Sequence, residues 1–132
     1  MAKRFTKIII GIIILGILLY LLLIIDTHGL MKRAKKIFLL EIPKNEIEDK
    51  LTRYSFDGYF FNKDEIGKIK LILLRPFTFH NYREGIIVIY YTHIVYDTNG
   101  EVLTGSSEVF PVIWKIKKIN NIWNVVDIKE DP

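Results

Sequence analysis

The chain contains no cysteine, and that single absence closes several routes. Disulfides, thiolate zinc sites, thiol nucleophiles and a lipid-modified cysteine anchor are all excluded. Histidine is scarce, with only His28, His80 and His93. No Walker loop, GxGxxG, GxSxG or HExxH pattern occurs anywhere in the sequence, so the common phosphate, dinucleotide, serine-hydrolase and zincin chemistries have no foothold. At 132 residues and 15.5 kDa there is room for one modest domain and little more.

Acidic and basic residues are missing from one long stretch. Ile8 to Ile25 reads IIIGIIILGILLYLLLII, of which 16 of 18 residues are apolar and two are glycine. As a helix it would be about 27 Å long, close to the roughly 30 Å hydrocarbon core of a bilayer. Lys3, Arg4 and Lys7 precede it, as in a secretory signal, but the stretch outruns the usual signal core and Asp26-Thr27-His28-Gly29-Leu30 offers no small-x-small cleavage site. We read residues 1–29 as a cytoplasmic tail and transmembrane signal anchor, and 30–132 as a soluble domain. Gly11 and Gly16 are five apart, which is not the spacing of the close-packing dimer motif, and Tyr20 reads as lipid-facing.

The net charge of +4 is concentrated around that run. Beyond Ile42 the balance is 12 basic against 13 acidic residues, so the domain lacks the basic footprint of a nucleic-acid binder and we expect no nucleic-acid partner. Lys32, Arg33, Lys35 and Lys36 lie just past the run, where they read first as the solvated face of a helix and second as basic side chains that can meet anionic headgroups. They nearly balance the basic residues ahead of it. Because Lys7 abuts the apolar stretch, we place the amino end inside and the domain outside the cell membrane, as a single-pass protein.

Leu30, Met31, Ala34, Ile37, Phe38 and Ile42 recur at helical spacing, and Pro43 stops that pattern. A second short helix is expected from Asn45 as N-cap, with Glu48 completing a capping box and Ile47, Leu51 and Tyr54 on its buried face. From Ile66 onward β-branched and aromatic residues dominate, broken at Arg83-Glu84-Gly85, Asn99-Gly100 and Asn120-Asn121. Such short connections permit only antiparallel hairpins, so the fold class is α+β with a four-stranded antiparallel meander. Asn99-Gly100 is the natural type I′ turn, and Gly85 suits a left-handed position.

If Tyr82 faces Ile86, Thr98 faces Glu101 and Ile119 faces Ile122, one sheet face collects Ile69, Leu71, Leu73, Phe77 and Phe79. It also collects Ile87, Ile89, Tyr91, Val95, Phe110, Val112, Trp114, Ile116, Trp123 and Val125. The other face holds Lys68, Lys70, His80, Lys115 and Lys117, but also Ile86, Val88, Tyr90, Ile94 and Ile113. That apolar strip invites another strand, such as 56–61, a protein partner or a second copy of the chain. Pro111 argues for a bulge in the third strand.

Helices followed by a meander that closes on Trp114-Lys-Ile-Lys-Lys-Ile-Asn-Asn-Ile-Trp123-Asn-Val-Val-Asp127 resemble the cystatin-like or nuclear-transport-factor-2-like cone over Leu30 to Ile128. The resemblance implies a small membrane-tethered domain of the kind found in Gram-positive envelopes, including assembly domains of conjugation machinery. The same register sets Arg75, His93 and Ser106 on one rung of the core face, with Tyr91 opposite Glu108 on the next. These five are the candidate pocket residues. They can form a structural network, line a ligand pocket or, with His93 as a general base, catalyse hydrolysis. His80 and His93 fall on opposite faces about 17 Å apart, so no metal site and no cofactor is expected. The leading expectation is a non-enzymatic, membrane-tethered extracytoplasmic domain for protein interaction or envelope assembly. The alternative is a small-ligand-binding or hydrolase-like protein using Arg75, His93 and Glu108, which needs an open cavity of at least roughly 300 Å³ lined by them.

Overall fold

A computed structural model of the chain describes residues 2–55, 63–107 and 110–130. Helix α1 spans Ala2–Asp26, and α2 spans His28–Phe38 with only Thr27 between them. Helix α2 buries Leu30, Ala34, Ile37 and Phe38, the stripe its sequence period requires. It ends five residues before Pro43. Leu40 adopts φ of 59°, while the Glu41 amide donates to Lys36 O (2.9 Å) and the Leu40 amide to Ile37 O (3.1 Å). This pair of bonds is a Schellman motif, which satisfies the final carbonyls and turns the chain before the proline is reached.

The expected second α-helix is replaced by 3₁₀ turns at Lys44–Glu46 and Lys50–Tyr54. Asn45 caps nothing there. Its apolar face survives, with Ile47, Leu51 and Tyr54 all buried. A run this short gains little from helical propagation, so packing of three side chains decides its conformation.

Among the described residues the sheet has five antiparallel strands where four were expected. These are β1 (Ile66–His80), β2 (Glu84–Asp97), β3 (Val102–Ser107), β4 (Val112–Ile119) and β5 (Ile122–Glu130), in the order β1-β2-β4-β5 with β3 also on β2. The expected third strand is interrupted before Val112, next to Pro111, which has no amide to give to the ladder. His93 pairs with Ser106 as the sequence register requires, but Ile87 pairs with Trp114, two residues further on than expected. A slip of two preserves the face, so Trp114 stays in the core.

The turns differ in kind from the expectation. Asn120 and Asn121 carry φ of 52° and 63°, so the type I′ turn lies here and joins Ile119 to Ile122. At Asn99-Gly100 only the glycine has positive φ. The Gly100 amide donates to Asp97 O (3.1 Å) and the Asp97 amide to Glu101 O (2.7 Å), closing a three-residue loop instead. Gly85 is not left-handed either. It pairs with His80, and a Cβ there would overlap the Phe79 carbonyl.

One bulge changes the first strand. Leu74 pairs with Tyr90 and Phe77 with Val88, so Arg75 and Pro76 together oppose Ile89. A single extra residue reverses every side chain beyond it. Thr78 and His80 are buried on the core face, whereas Phe77 and Phe79 emerge on the opposite surface, 44% and 58% exposed. Phe77 and Trp114 therefore face contrary sides, against the sequence register. Phe110 is exposed as well.

The core lies between α2, the 3₁₀ turns and one sheet face. Phe38 stacks on Tyr54 with centroids 4.3 Å apart and contacts Tyr91 at 5.3 Å, and Trp114 Nε1 donates to Tyr54 Oη (3.0 Å). Burial raises the Tyr54 phenol pKa well above its usual value, so it stays protonated. The Asp49 carboxylate, 3% exposed, accepts from both Arg33 Nη atoms (3.1 and 2.6 Å) and from the Val125 amide (2.9 Å), while Arg33 also donates to Trp123 O (3.2 Å). Together they satisfy backbone groups along β5, an edge strand.

Replacing Phe38 by Ala should cost about 3–5 kcal/mol through the cavity it leaves. Asp49→Ala should cost about 3 kcal/mol by stranding Arg33 and a β5 amide. Urea unfolding of the detergent-solubilised full chain, followed by the emission of Trp114 and Trp123, measures both.

Candidate functional site at the end of the apolar helix

Helix α1 is long and apolar enough to cross a membrane, with no part of its apolar window buried in the fold. Its last turn is different. Any helix leaves terminal carbonyls without intrahelical donors. Here the sheet supplies them. Arg75 donates through Nη1 to Thr27 Oγ1 (2.7 Å) and through Nη2 to Ile24 O (3.2 Å). Thr27, fully buried, returns its own proton to the Leu23 and Ile24 carbonyls (3.2 and 3.1 Å).

The bulge makes this contact possible, since an extra residue in β1 re-aims Arg75 away from the ladder. It also brings His80 onto the helix side of the sheet. His80 Nδ1 accepts the Tyr82 amide (3.0 Å), so the ring proton sits on Nε2 and is donated to Leu23 O (3.1 Å). Asp26 Oδ2 accepts from Trp123 Nε1 (2.8 Å) and lies 3.6 Å from Lys118 Nζ, which itself sits over the Trp123 ring. Tyr20 Oη accepts the Thr78 amide (3.2 Å), and its ring lies 6.4 Å from that of Phe77. Tyr20 is thus half-buried against strand β1, not lipid-facing as the sequence suggested.

The rung expected to unite Arg75, His93 and Ser106 is divided. Leu71, not Arg75, faces His93 from β1, because the first hairpin turns at Tyr82-Arg83 and the register slips accordingly. Ser106 pairs with His93 through the backbone, and Leu73 faces Tyr91. Glu108 lies outside the described residues. The His93 ring hydrogen-bonds to the Phe38 backbone and meets the Phe38 ring edge-on at 5.1 Å; burial lowers its pKa from the usual value. His80 and His93 share the core face, contrary to expectation. They are nevertheless about 26 Å apart at 3.3 Å per residue, His80 pairing with Gly85 eight positions from His93. No group of three metal-ligating side chains occurs among the described residues.

Arg75 instead lines a groove of about 600 Å³ between α2 and β1. His28, Lys32 and Lys35 supply its helical wall, at positions four and then three apart on one face. Met31, Leu71 and Leu73 complete the lining. No Asp or Glu is among these residues, and among the described residues no carboxylate pairs with Arg75, Lys32 or Lys35. Partial burial lowers the Arg75 pKa from its ordinary value. Of the four basic residues following the apolar run, Arg33 is engaged with Asp49, and Lys36 does not line the groove. The sequence pointed to the basic cluster but not to Arg75 as its fifth member. An arginine followed by proline within a strand was the available signal. No protein-family model, curated protein or solved structure matches the chain.

Because His93 is 1% exposed and its pKa is lowered, the unfolded chain binds a proton that the folded chain does not at pH below about 6.5. Stability should fall there as pH drops, by at most about 1.4 kcal/mol per unit until the folded pKa is reached. Urea midpoints for wild type and His93→Gln between pH 7.5 and 5 test this, and the variant should show the shallower acid-side decline.

Proposed function

We propose that the chain is a single-pass, membrane-tethered extracytoplasmic domain that assembles with a protein partner or a second copy of itself. One observation carries the reading. The last turn of the apolar helix is bonded into the sheet through Thr27, Arg75, His80, Asp26 and Trp123, so helix and domain form one body. A segment destined for cleavage gains nothing from such contacts, and its removal would strand Arg75 and His80 without their acceptors.

A body fixed to its tether presents the same surface at the membrane at all times. The side of the sheet away from α2 carries Ile72, Leu74, Phe77 and Phe79, all exposed, beside half-buried Val88, Tyr90, Ile94 and Ile113. Such a continuous apolar surface is unusual for a monomer and is the natural docking face. Arg75 and His93 do not come together as the alternative, small-ligand reading requires. Arg75 lies at the helix end, while His93 is packed under Phe38. The cone-like architecture of the cystatin-like or nuclear-transport-factor-2-like kind is consistent with this role as a proposed resemblance.

The chain's lack of cysteine makes Asn99→Cys, in the exposed β2–β3 turn, a unique probe. A membrane-impermeant maleimide should label it in intact cells, and labelling only after lysis would reverse the assigned orientation. A photo-crosslinker at Leu74 should yield a defined protein adduct that Ile72→Glu with Phe79→Glu abolishes. An unchanged adduct would exclude this face.

A further inference from the structure

We infer that the groove between α2 and β1 binds the phosphate headgroup of an anionic phospholipid from the bilayer that holds α1. The inference rests on the membrane-tethered reading and gives it a specific lipid contact. Three observations lead to it.

The first is position. Arg75 touches Ile24 O and Thr27 Oγ1, and Ile25 is the last residue of the apolar run. Its guanidinium therefore sits where the hydrocarbon layer ends and lipid phosphates begin. From His28 to Lys35 the helical wall is about 10 Å long at 1.5 Å per residue, and it begins at the end of the apolar run, at headgroup level.

The second is charge. Lys32, Lys35 and Arg75 converge on one groove with no carboxylate in its lining, although elsewhere the fold answers its buried and half-buried cations with acids, as Asp49 does for Arg33 and Asp26 for Lys118. Arginine has five N–H donors, and the described bonds take two from Arg75. The remaining donors, with two ammonium groups nearby, match a phosphate diester.

The third is the apolar lining. Met31, Leu71 and Leu73 give a soluble anion nothing to bury, but they suit the glycerol and first acyl carbons of a lipid whose tails lie beside α1. A site for inorganic phosphate would need no such surface.

The test uses the full chain reconstituted in nanodiscs or mixed micelles containing equal phosphatidylglycerol and phosphatidylcholine, with retained lipid counted by native mass spectrometry. Wild type should retain phosphatidylglycerol preferentially. Lys32→Gln and Lys35→Gln change exposed side chains outside the helix-end contacts, and each should reduce that preference about fivefold, the worth of one basic residue at an anionic surface. Arg75→Gln should abolish it, but this change also removes the helix-end bonds, so the lysine variants carry the decision. Equal retention of both lipids by wild type, or an unchanged preference in the double lysine variant, overturns the lipid site while leaving the tether intact. Displacement of the lipid by millimolar inorganic phosphate would assign the groove to a soluble anion and overturn it too. Vesicle flotation and carbonate extraction separate the underlying reading: a chain that fails to stay with the bilayer defeats both the tether and the site.

Discussion

The bond between Arg75 and the last turn of α1 is the contact on which the arrangement depends. A helix end that emerges from an apolar run must find donors for its carbonyls, and water is the usual supplier. In this chain two side chains of β1 provide them, with Thr27 relaying between Arg75 and the Leu23 and Ile24 carbonyls. Once those bonds form, α2 leaves at a set angle and its buried stripe meets the sheet. The same bulge that frees Arg75 from the ladder turns His80 inward and Phe77 outward. Helix docking and the exposed aromatic surface are two results of one extra residue.

Both outer strands of the sheet are treated alike. An unpaired strand edge needs partners for its amides and carbonyls or it recruits another chain. At β1 the Tyr20 hydroxyl takes the Thr78 amide; at β5 Asp49 and Arg33 take the Val125 amide and the Trp123 carbonyl. The polar residues of the helical layer thus act as edge covers.

Much of the architecture was legible because it follows from short-range rules. The uncharged run from Ile8 to Ile25, the stripe Leu30, Ala34, Ile37 and Phe38, and the Ile119 to Ile122 hairpin all appear where their residues demand. The core face of β2, β4 and β5 also emerged correctly, even though the β2–β4 register was off by two, because an even slip leaves side chains on the same side. What stayed hidden needed an odd shift or a distant partner. Pro76, with no amide to give to the ladder, marks the strand for a bulge, but which side chains the bulge re-aims depends on how β1 meets the helix end. Arg75 could be picked out as a polar residue among apolar ones, but its partner could not, since Thr27 lies 48 positions away. Tyr20 was read as lipid-facing and Asp49 as a local helix-end charge for the same reason, since their partners lie at long sequence separation.

With Thr27 buried and bonded, no slack segment separates the apolar helix from the folded body. A helix in a bilayer adjusts its tilt to the thickness around it. If α1 crosses a bilayer as proposed, any such adjustment would carry the sheet along as a lever, lifting or lowering its far edge relative to the lipid surface. Bilayer thickness would then set the attitude of the whole domain, so that the same molecule stands differently in thin and thick membranes.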